Sequence, residues 1–171
     1  MPFEPMMLSP AEEFVSSIDD EGTITLSAAI AVSDNQARVV TVDTSLSLIG
    51  LEPQTYEFSF SITVTALDDG ELPFATQDRT IARPFIPEES SPYVLPTVIN
   101  ALVQMVQDVQ PNAIYRVTKM PNLPPKALAK HELITETLQS MNYEIIESGT
   151  DAWNRRFWKM ERNEVQPWQQ K

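Results

Sequence analysis

The sequence predicts an α+β protein, with one mixed, mostly antiparallel sheet, two main helices packed on one face, and a short amino-terminal helix. Three observations carry this reading. Three segments between residues 23 and 67 alternate apolar and polar side chains with a period of two. After Pro92 the apolar residues recur at three and four, and near the end the period of two returns. At 171 residues, the chain is sized for a single domain with one core.

Residues 1–22 form an arm in which Ser9 reads as a helix N-cap, Pro10 as the first helical residue and Glu12 as the capping-box partner. That pattern predicts a short helix over Ser9–Ile18. Residues 23–67 read as antiparallel strands joined by the short links SDNQ and GLEPQ. Ile24, Leu26, Ala28, Ile30 and Val32 share one face of the first strand. Val40, Val42, Leu46 and Leu48 share a face of the second, with Thr44 among them. In the third, Tyr56, Phe58, Phe60, Ile62 and Val64 oppose Glu57, Ser59, Ser61, Thr63 and Thr65. One sheet face is therefore apolar and the other is serine and threonine.

Residues 68–91 form a long, proline-rich acidic connection, with a turn at Asp69-Gly70 and an edge strand expected in ATQDRTIAR. Residues 92–162 then give helix, strand, helix and two strands. Leu95, Val98, Leu102, Met105 and Val109 make the first helical stripe, with the start set at Pro92 or Pro96. Ile114–Lys119 is a strand, and a helix between it and an earlier strand is a crossover that requires parallel pairing. Ala127, His131, Ile134, Leu138 and Met141 stripe the second helix. YEIIES and RRFWKMER close the sheet around a Gly149–Asp151 turn, and residues 163–171 form a loose tail.

Charge is distributed unevenly. Residues 1–90 hold 16 acidic and 3 basic side chains, net −13, whereas residues 91–171 hold 8 and 9, net +1. Such a field repels nucleic acid and anionic lipid, and favours a partner with a basic surface. The chain has no cysteine and one histidine, which excludes disulfides, thiolate metal sites and histidine-rich zinc sites. No apolar run approaches the roughly 20 residues that span a bilayer, and glutamates stand where a signal peptide carries basic residues, so a cytoplasmic protein is expected.

No residue presents a catalytic signature. His131 lies on an apolar helical stripe with no nucleophile or carboxylate fixed beside it. Asp19, Asp20 and Glu21, and likewise Asp68, Asp69 and Glu71, lack the alternating spacing of a calcium loop and read as solvated turns, so no metal site is expected. Arg155, Arg156, Lys159 and Arg162 beside Trp153 and Trp158 could clamp a single-stranded nucleic acid. The period of two instead divides this set between two faces of one strand, with Arg156, Trp158, Met160 and Arg162 on one and Arg155, Phe157, Lys159 and Glu161 on the other.

The element order, and especially ALAKHELITETLQSMNYEIIESGTDAWNRRFWKMER, resembles the carboxy-terminal half of the GNAT acetyltransferase superfamily. There a helix ends in an aromatic-containing turn and two strands follow; here that turn is Leu138 to Tyr143. The resemblance implies a β-β-β-α-β-α-β-β order, and coenzyme A held by a glycine-containing loop at a helix start. The matching run, Arg83 to Pro96, has no glycine, four prolines, and Glu88 and Glu89 where the pyrophosphate would lie. The family's catalytic tyrosine aligns with Leu138.

These readings lead to a non-enzymatic acidic interaction or regulatory protein on a degenerate GNAT-like scaffold, without a cofactor, of a kind found among phage and mobile-element accessory proteins. The alternative is a divergent coenzyme A-dependent N-acyltransferase, holding the cofactor along Ile62–Ala66 with Arg79, Arg83 or Arg116 as phosphate donors. A third reading pairs two copies as a homodimer through the serine and threonine face.

Overall fold

Strand formation begins earlier than the periodicity indicates. The computed structural model describes residues 2–33, 37–66, 74–76, 79–118 and 120–163, and of Phe74, Ala75, Arg79 and Thr80 the backbone alone. The expected helix over Ser9–Ile18 is absent. Short strands β1 (Phe3–Pro5) and β2 (Val15–Ile18) instead lie end to end along one edge of β3 (Ile24–Ser33). A capping box contributes about 1 kcal/mol, less than the strand pairing and long-range hydrogen bonds that hold this arm extended.

Next come β4 (Arg38–Leu51), β5 (Gln54–Ala66) and the short β6 (Phe74–Thr76). A helical turn, α1 (Arg79–Ala82), occupies part of the expected edge strand. Two 3-10 turns lead into α2 (Val94–Val109), followed by β7 (Ala113–Val117), α3 (Pro125–Ser140), β8 (Tyr143–Thr150) and β9 (Arg156–Arg162). The result is the expected α+β class, a mixed sheet with two main helices. Strand order is β1-β3-β4-β5-β7-β9-β8, with β2 on β3 and β6 on β5. From β3 on, allowing for β6 and α1, the order β-β-β-α-β-α-β-β is realised. Contacts divide the chain into two units: Met1–Leu48 with Glu57–Gln110, and Ile49–Tyr56 with Pro111–Lys171.

In the first unit the alternation buries Leu26, Ala28 and Ile30 of β3, Val40, Val42 and Leu46 of β4, and Phe58, Ile62 and Val64 of β5. Each large side chain fully withdrawn from water contributes about 1.5–3 kcal/mol. Thr44 is tolerated within this stripe because its hydroxyl donates to Leu26 O at 3.0 Å. A register shift between Ala29 and Ala31 breaks the alternation, so that Ala31 and Ser33 turn inward and Val32 does not. Val98, Ala101, Leu102 and Met105 of α2 are buried, and α2 packs against β3. Pro96 is the third residue of α2, where a backbone N–H has no helical partner to lose. The opposite face carries a hydroxyl ladder, with Thr23 Oγ1 3.1 Å from Ser47 Oγ and Thr25 Oγ1 3.2 Å from Ser45 Oγ.

In the second unit, Asn112 N donates to Gln54 O at 3.1 Å where β7 and β5 both begin, which sets them parallel, as a crossover requires. β9 runs antiparallel to both β7 and β8. Trp158 and Met160 point inward and Phe157 and Lys159 are half-exposed, as the period of two indicates. The turn falls later than expected, at Asp151–Asn154: Asp151 N donates to Arg155 O at 2.9 Å, and Asn154 adopts a positive φ of 59°. Ile134 and Leu138 anchor α3.

Candidate functional site

The three arginines named as phosphate donors fall into different settings. Arg79 and Arg83 belong to the first unit and Arg116 to the second. Arg83 begins a 3-10 turn and is exposed; the Arg79 side chain lies outside the described residues. Arg116, on β7, is 3% exposed. It donates to His131 O at 3.3 Å and to Thr135 Oγ1, both on α3, and its guanidinium lies 4.9 Å from the Trp158 ring centre. Its Nε is buried with no hydrogen-bond partner, and no carboxylate among the described residues pairs with it.

Desolvation by burial lowers the Arg116 pKa to about 10, which leaves it a cation at neutral pH. The arrangement is internal: the placed donors are spent on α3 and the charge rests on an indole face. His131 stacks on Trp158 with ring centres 5.5 Å apart. Burial, and then the nearby Arg116 and Lys130 charges, push its pKa down to about 4. The imidazole is therefore uncharged at pH 7 and only a weak base there. Leu138 is fully buried.

The remaining aromatic and basic residues are equally local. Arg155 Nε donates to Asp151 Oδ2 at 2.7 Å, and its guanidinium lies 5.0 Å from the Trp153 ring centre, an arrangement that closes the β8–β9 turn. Lys159 pairs with Glu161 at 3.5 Å. Asp19 Oδ1 accepts from Glu21 N and Thr23 N, each at 2.9 Å, so the first acidic run shapes a turn around Gly22, whose φ is 79°. Asp68, Asp69 and Glu71 lie outside the described residues. No group of three or more potential metal ligands assembles among the described residues. None of the described helices is long and apolar enough to cross a membrane.

The start of α2 is the most developed surface feature. Three polar side chains tie the arm there. Ser90, fully buried, lies 3.0 Å from Met7 O and 3.1 Å from Ile30 O, sharing one hydroxyl proton between them. Thr97 Oγ1 accepts from Ala11 N at 2.9 Å and Asn100 Nδ2 donates to Ala11 O at 3.0 Å. The arm thus lies against the first turns of α2. Glu12 and Glu13 project from the arm beside Ala11, and Glu88 and Glu89 from the turn beside Ser90; all four are exposed, and among the described residues none has an ion-pair partner.

The carboxylates of this surface are plain in the sequence, but Ser90, Thr97 and Asn100 are not singled out there. Their signal is the polar pair Thr97 and Asn100, three apart beside the apolar stripe of α2, which marks a helix flank receiving backbone rather than side chain. No family model matches this sequence, no curated protein is significantly similar to it, and no solved structure matches its fold.

Proposed function

We propose that this chain is a non-enzymatic interaction protein that presents its acidic first unit to a basic surface on a partner protein, using a GNAT-like scaffold. The observation that carries this reading is the start of α2, where Glu12, Glu13, Glu88 and Glu89 stand exposed with no ion-pair partner among the described residues, and the chain's own arm occupies the helix. Surplus carboxylate on one unit speeds encounter with a cationic surface and makes the complex sensitive to salt. The coenzyme A reading has less support. Its pyrophosphate would meet four carboxylates and a helix start whose proline lacks an N–H, and Arg116 spends its placed donors on α3.

The test is affinity capture from lysate with this protein immobilised, eluted in a rising salt gradient. A basic protein retained at about 50 mM salt and released by about 300 mM is expected, because the screening length shortens over that range. The quadruple variant E12Q/E13Q/E88Q/E89Q should retain several-fold less. Retention indifferent to salt and to the variant would refute the proposal. Saturating acetyl-coenzyme A should leave the melting temperature unchanged, whereas a cofactor bound to the native state must raise it.

A further inference from the structure

A second feature of the first unit specifies how such a partner is held. β2 is paired on one side only: among the described residues it hydrogen-bonds β3 and nothing beyond. Its register is Val15 opposite Ser27, Ser16 opposite Leu26, Ser17 opposite Thr25 and Ile18 opposite Ile24. Asp19 N donates to Thr23 O at 3.1 Å, so the 19/23 pair is hydrogen-bonded. In an antiparallel ladder bonded pairs alternate, which makes 17/25 and 15/27 the next ones. Ser16 and Ile18 therefore turn their N–H and C=O groups outward, away from β3. All four residues of β2 are exposed, Val15 at 75% and Ile18 at 69%.

Ile18 lies on the same side of the sheet as its cross-strand neighbour Ile24, so it extends the apolar face past the end of its cover. Val15 lies on the hydroxyl side, beside Ser27. The strand is bracketed by Glu12 and Glu13 before it and by Asp19, Asp20 and Glu21 after it. Among the described residues none of these five carboxylates is in an ion pair, although Asp19 is held by its own turn.

We infer that the outer edge of β2 accepts an extended, basic-flanked segment of the partner protein as an added strand. This rests on the reading of the chain as an acidic interaction protein. Main-chain bonds to Ser16 and Ile18 would supply affinity, an apolar residue opposite Ile18 would fix register, and lysine or arginine at both ends would meet the two acidic brackets. A second copy of this chain does not fit. Antiparallel pairing of two β2 strands sets Glu12 and Glu13 against Asp19, Asp20 and Glu21, and parallel pairing sets each acidic bracket against itself.

The experiment measures fluorescence anisotropy of the labelled peptide KKVTVTVKK at about 50 mM salt, with EEVTVTVEE as control. The basic peptide should bind and the acidic one should not. Ser16→Pro removes an outward N–H while leaving the bonds to β3 intact, and should weaken binding by about tenfold or more. The same loss is expected with wild-type protein when alternate backbone nitrogens of the peptide are methylated, an arm that does not depend on how the variant folds. Salt-sensitive binding that survives both changes overturns the added strand while leaving acidic docking in place. Absence of binding by the basic peptide also overturns the added strand, and the salt-gradient capture then judges the broader reading separately.

Discussion

The two units handle charge in opposite ways. In the first, carboxylates stand outward on the arm and the turn before α2, and the polar groups taken inside are uncharged: Ser33, Thr44, Ser90 and Thr97, each with a hydrogen-bond partner. In the second, a guanidinium is taken inside and spread over an indole, with Nε left unbonded. The first arrangement leaves charge free to act on another molecule. The second consumes charge in holding a helix to a strand. A cation is therefore not a ligand site merely because it is buried and lacks a carboxylate; the direction of its donors decides.

The comparison can be broken first at the two cores. Leu102→Ala in the first unit and Leu138→Ala in the second each delete a fully buried side chain, and each should cost about 2–4 kcal/mol in urea unfolding. Of the described residues the tryptophans, Trp153 and Trp158, both lie in the second unit, and the buried Trp158 reports on that unit directly. The Leu138→Ala midpoint read by fluorescence should fall, and an unchanged midpoint would contradict the burial described for α3.

A smaller effect separates the units by pH. His131 is held near pKa 4 in the folded chain against an ordinary 6.5, so the unfolded chain takes up the proton first as pH falls. Its contribution is absent above about pH 6.5, and stability drops between there and about pH 4, by roughly 1–2 kcal/mol since the ring is partly exposed. His131→Gln should flatten that part of the stability profile, and an identical slope in the variant would show that the proton goes elsewhere.

Salt sharpens the contrast from the acidic side. Repulsion among the outward carboxylates weakens as the screening length shortens, so stability should rise by about 1 kcal/mol between about 10 and 200 mM sodium chloride. In E12Q/E13Q/E88Q/E89Q the rise should shrink, and calorimetry on both proteins reads the difference. The smallest change expected is Gly149→Ala. A Cβ there would stand 3.2 Å from Phe157 Cε1, and Phe157 stacks on Tyr115 at 6.2 Å, so a shift of the ring accommodates it at a cost below about 1 kcal/mol in chemical denaturation.

Periodicity alone identified the buried faces of β3 as far as its bulge, of β4 from Val40 to Leu46 and of most of β5, the stripe of α2 and the alternation of β9, because burial on one side forces a period that any single segment displays. Leu48, expected on the buried face of β4, is instead 40% exposed. The charge imbalance was likewise legible, since unpaired carboxylates need no partner to be counted. Three things were decided only in the tertiary structure. The arm became strands instead of a helix because Thr97 and Asn100 bind Ala11 across 86 and 89 residues of chain, and β3 offered an open edge. The bulge in β3 exchanged Val32 for Ala31 and Ser33, a shift set by pairing with β4. Arg116 turned inward because Thr135, His131 and Trp158, from α3 and β9, converge on β7. Local sequence fixes which side of an element is apolar; which distant group satisfies a given N–H, carbonyl or charge depends on contacts that close only when the whole chain has folded.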